Sequence, residues 1–501
     1  MKKLGFLIIL ICAGTVFIVA MSPVDIVNAR QERKLSDESS ECIECHRYYT
    51  PGIVADWRDS RHSTTSPAEA MKADELERRI SAEEVPEELQ SVAVGCYECH
   101  SRNTDRHADA FEHEGFEINV VVSPDDCATC HPLERDEYAG SKKGHAVGNL
   151  LDNPIYMTLV NTSVGVAEVV DGGVHQNTAS EAGRSETCFS CHGTVIEVNG
   201  KKIIESDYGE LEVPDLSNWP NQGVGRVNPD GSRGSCAACH PRHGFSIETA
   251  RKPFTCLQCH LNPDVPGWET WRESKHGNIF LSKADEWEWN AVPWTVGEDF
   301  RAPTCAACHN ALLVNSEGEV VAERSHDFGA RLYVRIFGLI YSHPHPKSGE
   351  TSVIKNSDGL PLPTTFTGVP ASEFLIDNAE QARRKAVLRK VCTACHSGSW
   401  ADGHFEQLEL TIAETDKMVE TATKLMVSAW QAGLAKSDDN PFDEGLERKW
   451  IEQWLFYANS VRYGSAMGGP DYSAFKNGWY YLTKNLQDMK DAIALKQAVK
   501  K

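Results

Sequence analysis

The chain has 501 residues, a formal net charge of −22 and 17 cysteines. That acidity repels nucleic acid and anionic lipid, and so excludes a nucleic-acid-binding role. It suits simple solvation and the steering of a basic redox partner.

In chain order, Met1-Lys2-Lys3 is a short basic start, residues 4–21 are almost unbroken apolar, and Val27-Asn28-Ala29 offers small residues for cleavage. The pattern predicts a signal peptide over residues 1–29, with export to the periplasm. Residues 4–21 also reach the lower edge of a spanning length, so anchoring through an uncleaved leader is the alternative.

Cys12 lies in the leader, and the other sixteen cysteines pair into eight Cys-x-x-Cys-His motifs. They are Cys42/Cys45-His46, Cys96/Cys99-His100, Cys127/Cys130-His131, Cys188/Cys191-His192, Cys236/Cys239-His240, Cys256/Cys259-His260, Cys305/Cys308-His309 and Cys392/Cys395-His396. This is the attachment signature of c-type haem: two thiols bond the macrocycle and the adjacent imidazole becomes the proximal iron ligand. Zinc sites do not require a histidine at that position each time, and a disulfide framework predicts none. Eight covalent haems are expected.

Between residues 36 and 400 motif follows motif, with Gly, Pro, Asn and Asp between them. The haems themselves supply much of the apolar interior there. Strand signals occur at 164–170 and 202–213, with Asn199-Gly200 as a turn. Beyond about residue 372 apolar residues recur at helical spacing, predicting helices over 372–391, 405–435, 445–463 and from 472 or 473 to 499. Pro441 and Gly468-Gly469-Pro470 break them. The expected fold is mainly α: a loop-rich multihaem cytochrome c with a few short β-hairpins and a C-terminal long-helix bundle. The haem-rich body spans 30–371 and carries seven motifs; the helical domain, 372–501, carries the eighth.

Of 19 histidines, eight close the motifs and eleven are left. Electron-transfer haems take a second strong axial ligand. The best seven candidates are His62, His113, His145, His243, His276, His326 and His404, with His107 competing against His113 and His175 unassigned. "DWRDSRHS", "GSKKGHA" and "WRESKHG" each set a His after a Ser or Lys in a short helix. No histidine falls between the fourth motif and the fifth. The haem of Cys188, Cys191 and His192 is therefore the one expected to keep an open iron face, where a small molecule binds and reacts.

Eight such motifs, the export signal, the helical C-terminus and the stretches "CAACHPRHGFS", "CLQCHLNPDVPGWETWRESKHG", "APTCAACH" and "GSAMGGPDYSAF" resemble the octahaem hydroxylamine oxidoreductase family over nearly the whole exported chain. The resemblance implies a catalytic fourth haem, a homotrimer, and either oxidation of hydroxylamine or hydrazine or reduction of nitrite or hydroxylamine. Where oxidative members carry Asp-His after the sixth motif, this chain reads Asp264-Val265. Where their cross-linking tyrosine is expected, Ala466 stands, with Tyr463 and Tyr472 nearby. "IFGLIYSHPHPKSGETS" resembles the reductive branch and implies Tyr341, His343 or His345 as proton donors beside Asp264; the bland reading is a Pro-rich surface loop.

The favoured expectation is reduction of a small inorganic nitrogen substrate at His192's haem, with a multihaem quinol dehydrogenase or small cytochrome as redox partner. The alternatives are oxidation at a tyrosine-crosslinked haem, and a non-catalytic electron conduit in which His175 completes the ligand set.

Overall fold

The computed structural model describes residues 9–12, 15–18, 33–206, 209–437 and 440–500. The Val27-Asn28-Ala29 cleavage stretch lies outside the described residues. Among those described, no helix is long and apolar enough to cross a membrane.

The motif-bearing body is built from short helices and two-stranded hairpins. Several motifs are themselves single helical turns, such as Cys96–His100, Cys188–His192 and Cys305–His309. A helical turn puts residues i, i+3 and i+4 on one face, so both thiols and the imidazole point the same way. The hairpins are Ala110–His113 with Phe116–Asn119, Ala167–Val170 with Gly173–Gln176, and Glu197–Ser206 with Gly209–Ser217. Asn199-Gly200 is not a turn. It is an irregularity of register within the last hairpin, with Gly200 at φ +106°. A left-handed glycine inside a strand is how a bulge is made.

The C-terminal region holds the long helices. Asn378–Thr393 starts where Asp377 accepts a hydrogen bond from the Glu380 amide. Gly398–Gln431 starts earlier than its apolar stripe, because Ser397 accepts from the Trp400 amide and nucleates the first turn. The next helix runs Gly445–Ile451, widens into a π-helical stretch at Glu452–Tyr457, and continues as Ala458–Met467 to Gly468 in the left-handed region. Trp479–Lys500 closes the bundle. Val419, Ala422, Met426, Trp450, Trp454, Leu482 and Met489 form its core. A second core, rich in tryptophan (Trp271, Trp287, Trp289, Trp294), packs with Phe280 and Phe300 beside the seventh motif.

Candidate haem cavity and reaction site

Every motif contributes its histidine and at least one cysteine to a single continuous cavity of about 2620 Å³. The rings are held for metal binding. Nδ1 of His100 donates to the Asn119 carbonyl at 2.8 Å, and Nδ1 of His192 to the Ala146 carbonyl at 3.4 Å. Such bonds fix the tautomer and leave Nε2 for iron.

Imidazoles that share one iron from opposite faces have ring centres about 6 Å apart, because each metal–nitrogen bond is about 2 Å. His46 and His113 are 6.2 Å apart, His62 and His131 6.5 Å, and His276 and His396 6.0 Å. His243 lies within electrostatic reach of His100, and His326 of His240. These residues fit covalent haems, which they would hold between imidazoles of different motifs: the histidine after the first motif faces that of the third, and the one after the sixth faces that of the eighth.

Neighbouring thiols trace the order of the motifs in space. Cys42 adjoins Cys96, Cys99 adjoins Cys130, Cys127 meets Cys236, Cys239 adjoins Cys256, Cys256 meets Cys305, and Cys308 adjoins Cys392. The fourth motif stands off this line and joins it through Cys191 and Cys259 of the sixth.

Beside the fourth motif the cavity wall carries Asp264, Arg335 and Tyr463. Among the described residues, the only imidazole in electrostatic contact with His192 is the sixth motif's own His260. Burial raises the Asp264 carboxyl above the ordinary aspartate range. Burial likewise pushes the Tyr463 phenol up to about 12.

The other expected site residues fall as follows. His404 lines the cavity, its ring stacked 5.5 Å from Trp400. His145 sits outside the cavity, with Nδ1 3.1 Å from an Arg233 nitrogen. His107 is enclosed by Asp109, Asp126 and Asp230 at 3.0, 3.2 and 3.8 Å. His175 is on the exposed Gly173–Gln176 strand. Neither Tyr341 nor His343 lines the cavity. Tyr341 donates to the Phe366 carbonyl at 2.9 Å within the helical core. His343 donates to the Pro344 carbonyl at 2.7 Å, and burial lowers it to about 3. From that stretch Ile336, Phe337 and His345 reach the cavity, as does Arg335 just before it.

Residues 228–325 match a model of multihaem cytochromes with repeated CxxCH, and residues 32–122 match cytochrome c554 and c-prime. A curated relative, the probable nitrite reductase-hydroxylamine oxidoreductase fusion protein of Kuenenia stuttgartiensis, is 26% identical over 402 residues. The alignment takes in 76% of this chain and 37% of that protein. A solved hypothetical multiheme protein is 41% identical, with a TM-score of 0.89 over 96% of this chain and 100% of its own. The chain belongs to the multihaem cytochromes c.

This multihaem cytochrome also shares its fold with a Kuenenia stuttgartiensis reducing HAO-like protein complex, at a TM-score of 0.61 and 18% identity over 92% of this chain and 86% of that one. Its cofactors are covalently bound c-type haems. Arg335 carries no sequence signal, standing just before the Pro-rich stretch, while Tyr463 is legible only as one of two tyrosines flanking the glycine break.

Proposed function

We propose that this cytochrome is a periplasmic octahaem enzyme that reduces nitrite, hydroxylamine or both, with ammonium as the product, at the fourth motif. The other seven haems are its electron supply, a quinol dehydrogenase or small cytochrome is the donor, and three copies assemble. The observation that carries the reading is the fourth motif's environment: among the described residues no histidine from outside the motifs acts on His192, as none does on His260 or His309, and of these three motifs only the fourth has Asp264 acting on its cysteines. When bound there, the haem supplies an iron with one free face and an electron source.

The chain supplies the rest. Ala146 holds the His192 ring by its carbonyl, so that Nε2 points into the cavity. Asp264, raised by burial, keeps its proton to higher pH than an exposed aspartate and can deliver it to a bound nitrogen or oxygen atom. Val265 stands where oxidative relatives place a second base, which favours proton delivery over proton removal. The exposed position of His175 weighs against the conduit reading, since that reading needs it beside iron. The fusion relative's name includes a nitrite reductase.

The test is catalytic voltammetry of the adsorbed protein. Reductive current with nitrite and with hydroxylamine, and none in the oxidative direction, is expected. Oxidative current with hydroxylamine would reverse the assigned direction, and silence with every haem still cycling would favour the conduit.

A further inference from the structure

Two polar side chains in the wall beside Asp264 have no partner in the fold. The side chain of Arg335 makes no hydrogen bond or ion pair among the described residues, its guanidinium lying 5.7 Å from the centre of the Phe337 ring. Several other arginines of the cavity are anchored: Arg324 pairs with Glu134 at 2.9 Å, Arg226 donates to Asn228 at 2.7 Å, and Arg251 donates to the Trp289 and Ala291 carbonyls. Arg242 shares the situation of Arg335, with only a ring contact to Trp219 at 5.0 Å, but it stands by the second and fifth motifs rather than the fourth. Tyr463 lines the same cavity, and its hydroxyl makes no hydrogen bond among the described residues. Tyrosine and arginine removed from bulk solvent ordinarily find partners, so two unpartnered groups facing one space point to a ligand in that space.

The helix Ala458–Met467 holds them together. Asn459 Nδ2 donates to the Asp264 carbonyl at 3.3 Å, and Arg462 Nη1 donates to the Ile336 carbonyl, also at 3.3 Å. One turn of helix therefore grips both the Asp264 loop and the residue after Arg335, and Tyr463 is the next residue along. The π-helical stretch Glu452–Tyr457 immediately before it shifts the register of this face. Arg335 and Asp264 are the charged neighbours of Tyr463, and Arg335 also acts on His192. Lys143, another cavity cation, sits 4.8 Å from the Phe328 ring centre and acts on Cys191 and His192 of the fourth motif as well as on groups of the fifth, sixth and seventh, whereas Arg335 is the cation that acts on both His192 and Tyr463.

We propose that Arg335 and Tyr463 are the substrate-binding pair of the fourth-motif site, the guanidinium clamping a small bent oxyanion of the nitrite class and the phenol donating a hydrogen bond to one of its oxygens. This rests on the reading of the fourth motif as the reaction site. A planar fork of N–H donors matches two oxygens on one atom, which a point-charge ammonium does not. The phenol keeps its proton throughout the neutral range and so remains a donor.

The test compares haem-loaded wild type with R335Q, R335K and Y463F. Each is titrated optically, without reductant, against nitrite and against nitric oxide, an uncharged ligand of the same iron. R335Q is expected to weaken nitrite binding roughly ten- to hundredfold while changing nitric oxide affinity less than about twofold. R335K should fall between, and Y463F should weaken nitrite several-fold. Equal losses for both ligands, or unchanged nitrite binding, would overturn the pair. So would a shifted haem midpoint potential without a change in selectivity, since Arg335 would then be a partner of a haem propionate. If R335Q does not load haem, R335K decides alone, and wild-type nitrite affinity in it rejects the clamp. Wild type that binds neither ligand overturns the reading of the fourth motif and the pair with it, whereas nitrite binding indifferent to Arg335 overturns the pair only.

Discussion

The side chain of His107 has no solvent exposure and lies within 4 Å of three carboxylates, Asp109, Asp126 and Asp230. Burial works against its charge, but the hydrogen bond to Asp109 and the carboxylate of Asp126 facing Nε2 prevail and raise it to about 10. It is an imidazolium that holds three segments together. A folded pKa above the unfolded value of about 6.5 means that its stabilisation is complete below that pH and lost as pH rises toward 10. H107Q should therefore lower the thermal midpoint most near pH 6, with a cost of about 3–5 kcal/mol, and the gap from wild type should close toward pH 10. Melting curves across that range check it, and a gap independent of pH would reject the charged histidine. On the proposed reduction at the fourth motif the sign concerns activity. Asp264 would act while protonated, so nitrite turnover should decline as pH passes its raised pKa. D264N should lose roughly a hundredfold in kcat together with that alkaline limb in the pH profile.

At the scale of elements, the helix Gly445–Met467 decides whether the site has a wall. Arg462 is fully buried, ion-paired with Asp416 of the Gly398–Gln431 helix and bonded to the Ile336 carbonyl. R462M leaves the Asp416 charge without its partner and should lower stability by about 3–5 kcal/mol, while R462M with D416L should recover most of it. Thermal midpoints of the three proteins separate loss of the pair from loss of packing. The existence of these helices was legible from apolar spacing, because a long stripe such as Phe405, Leu408, Val419 and Met426 has one interpretation. Their starts were less so: Ser397 caps the second long helix two turns before that stripe begins. The π-helical stretch left no mark, since "EQWLFY" reads as ordinary helix and only tertiary packing selects the wider turn. Haem attachment was legible because it is local chemistry, five residues at a time. Histidine fates were not, because Asp126 and Asp230, which claim His107, and His46, which faces His113, come from distant sequence. Arg335 belongs with these, since a single arginine acquires meaning only beside Tyr463 and Asp264.

Across the whole molecule, the thiol contacts give a wiring plan. Motifs one, two, three, five, six, seven and eight follow one another, and the fourth hangs from the sixth through Cys191 and Cys259. The ends of this line are also where it meets solvent: Cys45 of the first motif and Cys395 of the eighth are exposed, while the other motif cysteines are partly covered. A branch at the sixth motif means that substrate chemistry and electron traffic can be separated by mutation. C188A/C191A removes the branch, so nitric oxide binding and nitrite current should vanish while the remaining haems still fill with electrons at their former potentials. C256A/C259A removes the junction, so nitric oxide should still bind at the fourth motif while nitrite-driven current collapses. Optical titration with nitric oxide, paired with voltammetry of both variants, distinguishes the two losses. If the sixth-motif variant keeps its current, the fourth haem has a second route to the line, and contacts other than Cys191 to Cys259 must carry it.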